Sequence, residues 1–171
     1  IQPDTVKTGA AIVTGETARK ENAESVLSAI ADLAGDFVVT VAGPNVEGLI
    51  AGRGSGAATW SRRNFSTIAS LDIGGGSANA AVFRLGVPVA SAAMNFGGRV
   101  LEFGGDVFKS ATAAGKAIMH AAGVMLEPGD KPDLQAVRRI ADTEASLVLD
   151  LIEGTRSPLA DRLYQTEPLP G

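Results

Sequence analysis

Hydrophobic and polar positions along this chain form two kinds of pattern, short apolar runs of strand length and longer stripes at helical spacing. Apolar runs at residues 10–14 and 37–42 predict two strands. Between them, residues 16–34 carry apolar side chains at helical spacing, and Gly35 follows the last of these. The first part of the chain therefore predicts a strand, a helix and a second strand. This order is compatible with a right-handed crossover, although the sequence does not fix parallel pairing.

The middle of the chain predicts a short helix followed by an antiparallel meander. The helix covers residues 46–51 and ends at Gly52, and residues 52–64 show no regular pattern. Three consecutive apolar segments then predict three strands joined by tight turns, at residues 65–73, 78–83 and 87–95.

The last third of the chain predicts one hairpin and two helices. Residues 100–103 and 107–108 are the two arms of the hairpin, around a glycine-containing turn. The helices cover residues 111–122 and 133–153, and the second of them carries an apolar stripe. Strands and helices together predict an α/β protein.

Composition excludes several functional classes. With 171 residues, of which 45% are hydrophobic, the chain can bury a core, and its 21 glycines indicate many tight turns. A net charge of −4 provides no basic field for nucleic acid. The absence of cysteine excludes disulfides and thiolate metal sites and fits a reducing cytoplasm. No apolar run approaches the roughly 20 residues of a membrane span, so neither nucleic acid nor membrane is expected as a partner.

Both ends of the chain have the composition of linkers. Residues 1–4 and 167–171 are rich in proline and polar residues, and the first residue is Ile1. We therefore expect the sequence to be an excised piece of a longer protein.

The turn between the first two strands of the meander carries the clearest chemical signal. Asp72 ends one strand, residues 74–76 are three glycines, and Ser77 follows them. Glycines let backbone N–H groups converge on an anion, since residues without a Cβ can take positive φ values. A carboxylate beside phosphate requires a cation between them, and Mg²⁺ held through its waters fits that position. We predict a phosphate-binding hairpin, and an ordinary tight turn is the alternative.

These segments resemble a known superfamily and, more closely, one family. A strand at residues 37–42 followed by the glycine turn resembles the second phosphate loop of the actin-like ATPases, which include actin, sugar kinases and DnaK-type chaperones. The closer resemblance is to the family of ethanolamine ammonia-lyase reactivating factors, the ethanolamine utilization proteins EutA. It lies in residues 12–23, 35–44 and 95–99, the last reading Asn-Phe-Gly-Gly-Arg. It covers about residues 9–103 strongly and the following helices more loosely.

The resemblance implies an actin-like ATPase fold, which is ribonuclease H-like, with a mixed sheet and flanking helices. Residues 1–64 would complete the first lobe, and residues 65–171 would begin the second. The implied function is that of a chaperone-like reactivating factor for adenosylcobalamin-dependent ethanolamine ammonia-lyase, which uses ATP to exchange damaged cobalamin for intact cofactor. The lyase would be the partner, the protein could form an oligomer, and it would lie in the cytoplasm, with association with a bacterial microcompartment as a further expectation.

The resemblance also implies a nucleotide site that binds ATP or ADP with Mg²⁺, although it assigns no catalytic residue. Asp72 would hold Mg²⁺ through water, and Asn79 would brace the turn. The implied phosphate-binding residues are Asp72, Gly74, Gly75, Gly76, Ser77 and Asn79. The first phosphate loop and the adenosine segment of the superfamily are not evident. We therefore expect weak or undetectable nucleotide binding and no appreciable hydrolysis from this chain alone, with ATPase-type reactivation only in the full-length protein.

Two other functions compete with this interpretation. Residues 52–57 fit the dinucleotide pattern G-x-G-x-x-A, and Asp72 follows Gly52 by about 20 residues, as that fingerprint requires. The pattern needs a clear strand before it and a substantial helix after it, and the sequence predicts neither, which favours a structural glycine-rich loop. The second alternative is a nucleotide-independent scaffold that binds a lyase partner. The combination of Asp72 with its three glycines argues against a scaffold.

Overall fold

A computed structural model describes residues 8–13, 25, 28–29, 36–41 and 43–170. Strand β1, Thr8–Val13, and strand β2, Asp36–Val41, form a parallel pair. Both predicted strands are therefore confirmed, and the structure adds their parallel pairing. The predicted helix at residues 16–34 lies outside the described residues except at positions 25, 28 and 29, which are helical.

The segment that follows β2 forms two helices where the sequence predicts one short helix and an irregular stretch. Helix α1 spans Pro44–Gly54 and helix α2 spans Ala57–Arg63. Gly56, with a φ of 86°, separates them. The predicted end at Gly52 is wrong, because packing of α1 against the sheet outweighs the low helix propensity of glycine. The predicted irregularity of residues 52–64 is also wrong, since α2 lies within it.

Three antiparallel strands form the predicted meander in the order β3-β4-β5. Their bounds are Thr67–Ile73, Ala78–Arg84 and Val87–Met94. The β4–β5 turn places Leu85 and Gly86 at φ values of 53° and 84°. The sequence-based prediction of this meander and of its second turn is confirmed.

Helix α1 lies directly against the meander because two of its glycines leave room for the sheet. A Cβ on Gly48 would stand 3.3 Å from the Cβ of Asn79, and a Cβ on Gly52 would overlap the ring of Phe83, which is fully buried. The first two glycines of the G-x-G-x-x-A pattern thus lie within a helix rather than in a turn between a strand and a helix. The dinucleotide-binding alternative is therefore wrong.

A hairpin and three helices complete the described chain. The predicted hairpin is confirmed as β6, Leu101–Gly104, paired with β7, Val107–Ala111. The two predicted helices are α3, Ala113–Ala121, and α4, Leu134–Glu153, which begin after the side-chain caps Thr112 and Asp133. A further helix, α5, Pro158–Leu163, was not predicted.

The segment after α5 packs against strand β5. The N–H of Gln165 donates to the carbonyl of Ala93 at 2.9 Å, and the N–H of Ala93 donates to the hydroxyl of Thr166, also at 2.9 Å. Leu169 is only 5% exposed. The prediction that residues 167–171 are a linker is therefore wrong for the described part, since a buried leucine anchors it.

One hydrophobic core lies between the meander, α3, α4 and α5. Three of its members on the meander are alanines, Ala78, Ala80 and Ala92, which lets the helices approach these positions closely. The core includes Ala78, Ala80, Ala92, Met94, Phe96, Ile118, Leu147, Leu151 and Leu163. Within the described part of the chain, no helix is long and apolar enough to cross a membrane.

Candidate functional site

The glycine-rich connection between β3 and β4 is a tight turn closed by one hydrogen bond. The N–H of Gly74 donates to the carbonyl of Ser77 at 2.9 Å, directly beyond the last strand pair, Ile73 and Ala78. None of the three glycines at positions 74–76 has a positive φ. The expectation that these glycines are needed for positive φ values is therefore wrong.

A second segment, residues 97–99, is hydrogen-bonded to the turn. The N–H of Gly98 donates to the carbonyl of Gly74 at 3.0 Å, and the N–H of Arg99 donates to the carbonyl of Gly75 at 2.7 Å. A Cβ on Gly97 would stand 2.5 Å from the Gly74 oxygen, so only glycine fits this contact. Segment 97–99 therefore fixes the turn by binding its carbonyl oxygens.

The amide side of the turn is left available. The N–H groups of Gly75, Gly76 and Ser77 have no hydrogen-bond acceptor among the described residues. A Cβ on Gly76 would meet nothing within 4 Å, so the backbone is open at this point. Backbone N–H groups without a protein partner must bind water or a ligand, and several on adjacent residues favour an anion.

The turn opens onto a cleft of about 540 Å³, which we call the turn cleft. The turn, the segment after β5 and the start of α3 provide its walls, so the N-terminal end of a helix, which carries a partial positive charge, borders the same space as the turn. The lining residues are Gly75, Gly76, Asn95, Arg99, Val100, Glu102, Thr112, Ala113 and Ala114.

Two charged side chains in the turn cleft were not selected from the sequence. Arg99 is exposed and forms no ion pair within the described part of the chain. Glu102 accepts a hydrogen bond from the hydroxyl of Ser110 at 3.0 Å. The available signal was the Gly-Gly-Arg sequence at residues 97–99, which the family resemblance contains.

Asp72 and Asn79 face each other on β3 and β4 and share the sheet face that α1 covers. Asp72 is half-buried and has no hydrogen bond or ion pair with another described residue. Asn79 is 1% exposed, and its Oδ1 has no hydrogen-bond partner there either. Neither residue lines the turn cleft. Of the six residues predicted for the site, Gly75 and Gly76 line it, whereas Gly74 and Ser77 close the turn.

The described residues contain no group of three or more His, Asp or Glu side chains placed to hold a metal ion. A metal ion at this site would need ligands besides these side chains, such as water or the oxygens of a bound molecule. Mg²⁺ is commonly bound in that way, through one or two carboxylates together with substrate phosphates. The unpaired carboxylate of Asp72 is compatible with this kind of coordination.

A second cleft, of about 550 Å³, lies beside β7 and α3. Its lining is mainly apolar and includes Phe108, Met119 and Leu126, with Lys116 and His120 among its polar residues. It does not include the glycine turn, and it is therefore a separate feature from the candidate phosphate site.

The structure has the predicted actin-like fold, which confirms the predicted fold class. The structure is similar to that of the PPX-GPPA enzyme of Aquifex aeolicus, with a TM-score of 0.51 and 19% identity over 84% of this chain and 39% of that one. The family model of the ethanolamine utilisation protein EutA matches residues 1–171, and the chain belongs to this family. The resemblance predicted from the sequence is thereby confirmed.

Two relatives agree with this family membership. The chain is 38% identical over 182 residues to the ethanolamine ammonia-lyase reactivase EutA of Escherichia coli K12. It is 37% identical over 179 residues to the reactivase of the same name from Salmonella typhimurium LT2. In both cases the match covers 99% of this chain and 37% of the relative, so the chain spans little more than a third of their length.

Proposed function

We propose that the full-length protein is a chaperone-like reactivase of ethanolamine ammonia-lyase and that the turn cleft binds the phosphate groups of its nucleotide, ATP or ADP. The observation that carries this proposal is that carbonyl groups of the turn are hydrogen-bonded whereas three of its N–H groups are not. Segment 97–99 occupies the carbonyls of Gly74 and Gly75, while the N–H groups of residues 75–77 have no acceptor in the described chain. Such an arrangement favours a multiply charged anion over a neutral ligand.

The residues divide the work of binding in a specific way. Gly75, Gly76 and Ser77 would donate their N–H groups to phosphate oxygens, and Gly74 would close the turn. Asp72 lies just before the turn, outside the lining of the turn cleft, and would reach Mg²⁺ through water, since its half-buried carboxylate has no partner among the described residues. Bound Mg²⁺ would neutralise part of the phosphate charge. Asn79 would support the turn from the adjacent strand.

The rest of the proposal concerns the whole protein. We infer that residues 1–64 complete one actin-like lobe and that residues 65–171 begin the second, so that nucleotide would bind between this piece and segments outside it. ATP-driven change between the lobes would allow damaged cobalamin to leave the lyase and intact cofactor to enter. The protein would act in the cytoplasm, with a bacterial microcompartment as a further site of action, and could form an oligomer. This piece alone would lack full ATPase activity.

Calorimetric titration of the full-length protein with ADP, with and without Mg²⁺, tests the site. We expect Asp72→Asn to weaken Mg²⁺-dependent binding by about tenfold, as loss of an outer-shell metal contact does. Asp142→Asn, at an exposed position of α4, is the matched control and should change nothing. Equal affinities in the two variants would remove Asp72 from the site.

Reactivation of cobalamin-inactivated lyase, measured with and without ATP, tests the function itself. We expect recovery of lyase activity only with ATP and intact adenosylcobalamin. The scaffold alternative predicts instead that the protein binds the lyase equally well with and without nucleotide and that calorimetry detects no nucleotide binding.

A further inference from the structure

Arg99 is attached to the glycine turn by both its backbone and its side chain. Its N–H donates to the carbonyl of Gly75 at 2.7 Å. Its aliphatic carbons lie over the same residue, because a Cβ on Gly75 would stand 3.4 Å from Cδ and 3.6 Å from Cβ and Cγ of Arg99. The stem of the side chain therefore follows the backbone of the turn, which restricts where the guanidinium can be.

The guanidinium of Arg99 forms no ion pair with any described residue. The three ion pairs found there join Lys131 to Asp106 and Arg156 to Asp161 and Glu167, all away from the turn cleft. Glu102 lines the same cleft but is not within ion-pair distance of Arg99. Its carboxylate accepts a hydrogen bond from the hydroxyl of Ser110. An unpaired arginine thus shares a cleft with two residues of the turn whose N–H groups have no acceptor, Gly75 and Gly76.

These groups match one ligand chemistry. Backbone amides bind a phosphate oxygen through single hydrogen bonds, whereas a guanidinium can bind two oxygens of one phosphate at once and adds a full positive charge. A neutral or singly charged ligand would leave part of this donor set unsatisfied. A ligand with two or three linked phosphates would use both the turn and the arginine.

We propose that Arg99 contacts the phosphate chain of the nucleotide in the turn cleft and makes binding depend on the presence of that chain. This inference rests on the proposed function, because it assigns a further binding residue to the same site. Arg99 acts here as a specificity residue: it distinguishes ATP and ADP from adenosine, and the glycine turn alone would do so less strongly.

The test is a set of titrations of the full-length protein with Mg-ATP, Mg-ADP and adenosine. We expect Arg99→Ala to weaken binding of the two nucleotides about five- to tenfold and to leave adenosine affinity unchanged, since the arginine is exposed and water screens part of its charge. Arg99→Lys should recover part of the loss, because it keeps the charge without the planar fork. Arg138→Ala, which removes an exposed arginine of α4, is the control and should bind all three ligands normally.

Each outcome decides the inference. Equal Mg-ATP affinity in the Arg99→Ala and Arg138→Ala variants, with binding retained, would overturn the role of Arg99 and leave the proposed function standing. A uniform loss that includes adenosine would also overturn it, because it would indicate a structural effect. If Arg99→Ala does not fold, Arg99→Lys and Arg99→Gln are compared instead. If the unsubstituted protein binds neither Mg-ATP nor Mg-ADP, both the site and the inference are wrong.

Discussion

Gly97 lies so close to the carbonyl oxygen of Gly74 that a Cβ on residue 97 would stand 2.5 Å from it. The two residues are separated in sequence by two complete strands, so this contact joins the glycine turn to segment 97–99. It also explains why glycine is needed here: the constraint is close approach of two backbones, and neither glycine has a positive φ.

Replacement of Gly97 by Ala should therefore destabilise the protein. The added methyl group would press against backbone atoms of Gly74 and Gly75, which cannot rotate away as a flexible side chain could. We expect the free energy of unfolding to fall by about 1–3 kcal/mol, measured by urea denaturation. Gly76→Ala is the matched control, because its Cβ would meet nothing within 4 Å, and it should change stability by less than about 0.5 kcal/mol. Equal stability in the two variants would contradict the close contact.

Helix α1 provides a second comparison of the same kind. A Cβ on Gly52 would overlap the ring of Phe83, which is 0% exposed. Gly52→Ala should therefore lower the free energy of unfolding by about 1–3 kcal/mol, although alanine is the better helix former. At Gly54 a Cβ would meet nothing within 4 Å, so Gly54→Ala should be neutral or slightly stabilising. Chemical denaturation of both variants decides the matter, and a stabilised Gly52→Ala protein would refute the packing of α1 on the sheet.

The single tyrosine, Tyr164, should titrate above its ordinary range. Burial raises the pKa of Tyr164, and the negative charge of Asp150 adds to the rise. Its hydroxyl also donates to the carbonyl of Asp150 at 3.0 Å. The ultraviolet absorbance of phenolate reports this group alone, because the sequence contains one tyrosine. We expect the folded protein to have a higher midpoint than the urea-unfolded chain, and identical midpoints would refute the prediction.

The same pKa shift makes stability depend on pH. Tyrosine is neutral when protonated, and a pKa raised by folding means that the native state favours this neutral form. The resulting stabilisation is fully present below the pKa of the unfolded chain, about 10. It is lost as pH rises through the pKa of the folded protein. Stability should therefore fall above about pH 10 more steeply than in Tyr164→Phe. At neutral pH that variant should lose about 0.5–1.5 kcal/mol, because a hydrogen bond is removed.

The sequence predicts the meander, the second hairpin and helices α3 and α4 because local pattern and tertiary packing agree in these segments. It finds the middle of α1 but ends this helix too early, because glycine has a low helix propensity, whereas the close approach of Gly48 and Gly52 to the sheet requires it. That approach is a contact between residues distant in sequence. Periodicity cannot reveal it. The sequence also misses α2, whose seven residues show no helical periodicity.

Only part of the candidate site can likewise be predicted from the sequence. The turn itself is recognisable from Asp72 and the three glycines that follow it. Segment 97–99 and Arg99 are not, because their role depends on hydrogen bonds to the carbonyls of Gly74 and Gly75 that form only in the folded chain. The sequence suggests that glycine is needed for positive φ values within the turn. The structure shows instead that glycine is needed at residue 97, where two backbone segments approach closely.

The buried leucine near the end of the chain tests whether the last segment belongs to the core. Leu169 is 5% exposed and belongs to the same hydrophobic cluster as Leu151 and Ala160. Leu169→Ala should lower the free energy of unfolding by about 2–4 kcal/mol, since it removes buried methyl groups and leaves a cavity. Leu134→Ala makes the same chemical change where the side chain is 77% exposed, and it should alter stability by less than about 0.5 kcal/mol. Urea denaturation of both variants measures the difference. A linker at residues 167–171 would predict two equal, small effects, whereas an anchored segment predicts that only the first variant is destabilised.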